Sequence, residues 1–421
     1  MNKSSKTACQ APFGQKPAGR LEDSFFDAVV CGAGPAGSTA AALLADKGFR
    51  VLLLDQAAFP RDKVCGDLLV ADAIRSLDRL GLLSAVREKA FRAEKFVATS
   101  PGRVEIPVGG EYLTLKRREL DALLAARAVE AGAVFCKGKV ETVKPSATGP
   151  AKIFVAGRTE PLTARVALAA TGARANCLRQ AGMLEKPRPT AVATRFYVRS
   201  PAGPDYLVAA FDRAVIPGYA WIFPVGDDTY NIGCGVFLDQ NGKGKPNLKN
   251  MLDAFCADYP LARGIMARAT EVSPMGGAPM RCGLSGCGLV ADNVVSIGET
   301  AGATLPLTGE GIGKSMETAI FAAEAVSRAL LTHDLSALES YPARVEEKLR
   351  PTYDAHALAQ RWASVAPVSD FIARRAQNSQ KLKDALAGIM HETTDPRDIF
   401  SVRGVLRLLL PRPPRLFRKK S

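Results

Sequence analysis

The chain has 421 residues, with 56 lysines and arginines against 42 aspartates and glutamates, for a formal net charge of +14. Hydrophobic residues make up 47% and charged residues 23%, which excludes a disordered or collagen-like chain and supplies a core for one large or two to three ordinary domains. No run of 18 or more apolar residues is free of charge, so no transmembrane helix is expected.

The charge sits at the two ends. Residues 1–20 carry Lys3, Lys6, Lys16 and Arg20 without an acid, and residues 403–421 carry seven cations without an acid. The body from 21 to 402 holds 45 basic and 42 acidic residues, so no nucleic-acid-binding surface is implied. Nine cysteines are scattered, an odd number, and the polar N-terminus lacks a signal-peptide core. A cytoplasmic protein is expected. With three histidines, all late in the chain, no metal site is expected.

Residues 1–24 read as a flexible leader. Phe26 to Cys31 is a buried parallel strand, followed by the loop Gly32-Ala33-Gly34-Pro35-Ala36-Gly37, an alanine-rich helix ended by Gly48, and a second apolar strand closing on Asp55. This is one βαβ unit. Leu115 to Gly132 is helical, Ala133 to Cys136 a strand, and Val140 to Val155 and Leu162 to Ala170 are strand-rich, ending at Thr171-Gly172. From Thr190 to Leu238 the pattern turns β-branched and alternating, with a hairpin turn at Gly226-Asp227-Asp228-Thr229. Asn293 to Ile297 returns to the buried-strand style, Ile312 to Leu331 is a long helix, and the remainder to about 400 is helical.

The expected class is α/β with an α+β substrate part. A Rossmann-like cofactor domain comprises 25–185 and 285–335. An antiparallel-sheet substrate domain, 186–284, is inserted into it, with a helical C-terminal region (336–402) and a basic amphipathic tail (403–421) beyond. In the glycine loop, Gly32 permits the tight turn, Gly34 the approach of a pyrophosphate, and Gly37 the packing of helix on sheet. Pro35 and Ala36 open the helix, whose N-terminus favours phosphate. Asp55, 18 residues beyond Gly37, suits the ribose hydroxyls of FAD or NAD rather than NADP. No second unit of this kind is present.

Further along stand Ile297-Gly298-Glu299 at a strand end and Pro306-Leu307-Thr308-Gly309-Glu310-Gly311-Ile312-Gly313 before a helix. Here the chain resembles the geranylgeranyl reductase family, within the FAD-dependent oxidoreductases of the para-hydroxybenzoate hydroxylase fold. The resemblance implies that Gly298 and Glu299 (an aspartate in the family) hold the ribityl chain. It also implies that Gly309, Gly311 and Ile312 pass the isoalloxazine ring, the helix directing its positive end at the flavin. Arg117, in Arg117-Arg118-Glu119-Leu120-Asp121, matches an arginine that touches the flavin or its diphosphate. Thr171 and Gly172 match the strand end beside the adenine half. Phe59 to Asp67 matches the loop that brings a Cys-Gly pair, here Cys65-Gly66, near the flavin. Arg61 in it is a candidate cofactor contact, and Arg61 and Lys63 are expected to favour the Cys65 thiolate.

Tyr219-Ala220-Trp221-Ile222-Phe223-Pro224, followed by Asn231 to Gly235, resembles the same family's substrate-domain pattern. In a strand Tyr219, Trp221 and Phe223 share one face, a flat apolar wall for an isoprenoid or lipid-like substrate. With Cys65, Tyr219 and Trp221 are the candidate catalytic residues. The expectation is reduction of C=C bonds by hydride from reduced FAD, with electrons from NAD(P)H or a ferredoxin. The alternative on the same fold is a monooxygenase, or a halogenase, acting on an aromatic or polyketide-like molecule. Leucines among the cations of 402–420 suggest contact with an anionic membrane surface on its cytoplasmic side.

Overall fold

The computed structural model describes residues 25–184, 189–238 and 246–409. The expected leader, and the tail beyond Leu409, lie outside them.

Two sheets organise the chain. The first has eight strands. Phe26–Cys31 pairs in parallel with Val51–Asp55 on one side and Leu162–Ala169 on the other, in the register Ala28↔Val51 and Ala28↔Val166. Val134–Lys137 and Val294–Ser296 extend the parallel array at its two flanks. The hairpin Val140–Lys144/Ala151–Val155 and the short strand Val290–Ala291 add antiparallel margins. Strands buried on both faces read as unbroken apolar runs, which is why these elements are visible in the sequence. Helix Pro35–Ala45 is almost wholly buried between this sheet and helix Ile312–Thr332, and its alanines allow that close approach.

The second sheet has nine strands. Its centre, Ala191–Arg199, Thr229–Phe237 and Gly218–Pro224, is antiparallel as expected, with the turn at Gly226 to Asp228 in left-handed conformation. Its extent corrects the sequence reading. Phe91–Thr99 and Glu105–Thr114, from the stretch assigned to the cofactor part, continue the sheet, and Leu68–Leu69 forms its edge. Phe91–Thr99 pairs in parallel with Leu207–Ala210, so the sheet is mixed. One face packs on helices Leu248–Asp258 and Pro260–Ala267 through Ile222, Ile232, Leu252 and Phe255. The other, carrying Trp221, Phe223 and Phe96, meets Ala359, Ile372 and Ile389 of the C-terminal helices. No helix among the described residues is long and apolar enough to cross a membrane.

Candidate functional site

A cavity of about 900 Å³ runs between the two sheets. All the predicted site residues except Gly37 and Gly298 line it. Those two lie behind the wall: a Cβ on Gly37 would fall 1.7 Å from the Gly32 carbonyl oxygen, and one on Gly298 2.6 Å from Ala36. Gly37 packs backbone on backbone and Gly298 packs against the Ala36 side chain, approaches that an added Cβ would prevent.

At one end, Gly34 precedes helix Pro35–Ala45, whose first residues, Pro35 and Ala36, line the cavity. A Cβ at Gly34 would meet only the guanidinium tips of Arg61 and Arg117, at 3.7 and 3.9 Å. Bare backbone thus faces two cations across a gap, a setting made for a diphosphate. The cations are held in a neutral chain. Arg117 forks onto Asp121 at 2.7 and 2.8 Å, and Arg61 reaches Asp121 at 3.0 Å and Asp55 at 3.5 Å. Asp55 also accepts the amides of Ala33 and Ala57. Thr171 and Gly172 follow the strand Leu162–Ala169 on the same wall, and Glu299 lies beside Gly172 with Lys63 3.8 Å away.

In the middle, Cys65 and Gly66 lie against the aromatic wall: a Cβ on Gly66 would be 3.4 Å from Phe223 and 3.7 Å from Trp221. The three aromatics do share one face, with centroids 6.1 Å apart for Tyr219–Trp221 and 6.3 Å for Trp221–Phe223. Gly233, opposite Trp221 in the register, leaves room for the indole. Tyr219 donates its hydroxyl to the Thr308 carbonyl, which ties the wall to the Gly309–Ile312 turn. Gly309 there has φ +70.

The expected activation of Cys65 by Arg61 and Lys63 is corrected. Arg61 is engaged by Asp55 and Asp121, and Lys63 points to Glu299. Burial raises the Cys65 thiol above its ordinary range, and neighbouring Arg117 offsets this only in part. It is a neutral thiol at neutral pH.

A buried polar knot supports this loop, and the sequence reading assigned it no role. Asp67, at φ 65, accepts from the Tyr197 hydroxyl at 2.6 Å, Asn231 Nδ2 at 2.8 Å and the Arg117 amide at 3.2 Å. Asn231 also donates to the Cys65 carbonyl at 2.8 Å and accepts from Trp221 Nε1 at 2.9 Å. Burial raises the Asp67 carboxyl, and the bonds from Tyr197 and Asn231 counter it. The available signal was a lone amide, Asn231, in an otherwise apolar strand. At the far end, Phe96, Ile106, Ile372, Ala373 and Ile389 give the cavity an apolar arm, also missed, because their elements were assigned elsewhere.

Residues 27–366 match the family model described as lycopene cyclase protein. The chain is 32% identical over 332 residues to a menaquinone reductase of Mycolicibacterium smegmatis, covering 74% of this chain and 78% of that one. It is 29% identical to digeranylgeranylglycerophospholipid reductase 1 of Methanopyrus kandleri, over 78% and 88%. Among solved structures, a geranylgeranyl bacteriochlorophyll reductase-like protein of Thermoplasma acidophilum superposes with TM-score 0.70 at 22% identity, covering 93% and 97%. A flavin-dependent brominase shares the fold at TM-score 0.72 and 19% identity, over 91% and 98%.

Fold and site together define an FAD-dependent oxidoreductase, and the glycine loop, paired arginines and Asp55 fit that cofactor. The chain belongs to the geranylgeranyl reductase family.

Proposed function

We propose that this enzyme reduces C=C bonds of a long, hydrophobic, isoprenoid-type substrate. The observation that carries the reading is the apolar arm, which continues from the aromatic wall between the second sheet and the C-terminal helices. Reductases of menaquinone and of geranylgeranyl lipids among the relatives support it. When bound, reduced FAD supplies a hydride. Gly34, Pro35, Ala36, Arg61 and Arg117 hold its diphosphate and Asp55 the ribose. Thr171 and Gly172 flank the adenine half, Glu299 holds the ribityl chain, and Gly309, Gly311 and Ile312 border the ring, with Gly37 and Gly298 shaping the loops behind. Tyr219 and Trp221 orient the reacting bond over a dry, flat wall, and Cys65 bounds it as an uncharged thiol. Electrons come from an external nicotinamide or ferredoxin.

The test is anaerobic photoreduction of the holoenzyme followed by mixing with menaquinone in detergent. The expected outcome is flavin reoxidation without oxygen and a product that, after its quinone ring is reoxidised in air, keeps two extra hydrogens in the isoprenoid chain. No reoxidation until air is admitted, with an oxygenated product, would favour the monooxygenase reading instead.

We also propose peripheral membrane contact through the C-terminal end. Helix Val402–Leu409 exposes Val402 and Leu406 next to Arg403, at the start of the basic tail. Removal of 403–421 is expected to abolish cosedimentation with anionic liposomes, and unchanged cosedimentation would refute it.

A further inference from the structure

Behind the start of helix Ile312–Thr332 lies a cluster of ionisable groups outside the cofactor loop and the aromatic wall. Lys314 is buried, with Nζ 2.8 Å from Glu317, 3.6 Å from Asp72, and in contact with Glu392. Asp72 sits so close to this helix that a Cβ on Gly313 would fall 2.2 Å from its carboxyl carbon. Glu392 also takes Arg75 at 2.6 Å, and Arg75 is exposed, so the cluster opens to solvent there. Its inner member is Glu310, which lines the cavity, and whose Oε1 is buried with no hydrogen-bond partner among the described residues.

The charge count is unequal. Four carboxyl groups (Asp72, Glu310, Glu317, Glu392) face two cations, Lys314 and Arg75. His356 nearby adds none, because burial and Lys314 hold its pKa at about 4. Two carboxylates thus lack counter-charge, and protonating a buried carboxylate costs less than burying it bare. Glu317 and Glu392 keep direct cation partners and partial solvent contact. The proton held at neutral pH therefore belongs to Glu310, whose Oε1 is buried without a hydrogen-bond partner among the described residues, whereas Asp72 has Lys314 at 3.6 Å. Consistently, burial and then the Asp72 charge push Glu310 well above the ordinary glutamate range, and burial raises Asp72 to about 6.

We propose that Glu310 is the acid that protonates the substrate, reloaded from solvent through Glu392, Lys314 and Asp72. This rests on the alkene-reduction reading above. With the hydride of reduced FAD delivered to one alkene carbon, the π pair takes the Glu310 proton at the other. One O–H bond breaks, one C–H bond forms, and the carboxylate regains a proton from the surface. Glu310 adjoins a cluster that opens to solvent at Arg75.

Two measurements on the full-length holoenzyme test this, with Glu310→Gln as the neutral, near-isosteric variant. Infrared difference spectra on photoreduction are expected to show a deuterium-sensitive protonated-carboxyl C=O band, absent from E310Q. Formation of chain-reduced menaquinone by photoreduced E310Q is expected to be about 10²–10³-fold slower than by wild type at unchanged FAD affinity, with E310D restoring part of the rate. A band that persists in E310Q, or chain reduction at the wild-type rate, overturns the proposal. If wild type itself leaves the menaquinone chain unreduced, the alkene-reduction reading fails, and the infrared arm still decides whether Glu310 carries the proton.

Discussion

Two glycines of one loop separate folding from binding. Gly37 carries only hydrogen where a Cβ would stand 1.7 Å from the Gly32 carbonyl oxygen, so Gly37→Ala must push the helix off the first strand. A loss of about 1–3 kcal/mol is expected, read by urea unfolding of the FAD-free protein. At Gly34 the same methyl meets only guanidinium tips at the edge of the cavity, so Gly34→Ala should leave that unfolding curve in place. It should weaken FAD about tenfold or more, read by flavin fluorescence titration. Equal effects of the two substitutions on stability would contradict this division. The loop was legible because its chemistry is local: glycines, helix start and acid fall within 24 residues. The ionisation state of Cys65 was not, because it depends on which carboxylates claim Arg61 and Lys63, and Asp121 and Glu299 are far along the chain.

Between elements, buried polar groups fix how loops meet the sheets. Asn231 joins the aromatic strand, through Trp221, to the Cys65–Asp67 loop. Asn231→Leu would leave the indole N–H, the Cys65 carbonyl and part of Asp67 buried without it, at a cost of about 2–4 kcal/mol in urea unfolding. A loss under about 1 kcal/mol would show that water or relaxation replaces these bonds. The two helices that meet at Lys314 give a pH signature. Asp72 titrates at about 6 in the folded chain against 3.8 ordinarily. Between these values the folded state binds more protons than the unfolded one, so stability from this group is present at low pH and falls as pH rises. Each pH unit in that window is about 1.4 kcal/mol at most. Asp72→Asn should therefore gain stability relative to wild type between about pH 4 and 6, and a flat difference would refute the raised value. The aromatic strand was legible from its alternation, whereas Phe91–Thr99 and Glu105–Thr114 were not. The first has an irregular pairing between Ala93 and Lys95, which breaks its alternation, and the second contains Pro107, Gly109 and Gly110, ordinary breakers of strands.

At the scale of the whole molecule, the cavity is bounded by parts of the chain from Gly32 to Phe400, so its ligands touch both sheets and the C-terminal helices at once. Sequence could not show this closure, since it depends on pairing Leu207–Ala210 with Phe91–Thr99 and on the docking of Ile372 and Ile389 against Phe223 and Phe96. A ligand bound only by the folded state stabilises it by mass action, about 2.7 kcal/mol at a hundredfold excess over its Kd. FAD saturation should therefore raise the melting temperature by a few degrees. A hydrophobic substrate analogue added with FAD should raise it further, because the analogue occupies the apolar arm. Hydrogen exchange locates each effect. FAD should slow exchange first in Pro35–Ala45 and the loop after Asp55, and the analogue in Gly218–Pro224 and Ala366–Gln377. Protection by the analogue confined to the first sheet would place the substrate outside the apolar arm and remove the main support for a long-chain substrate.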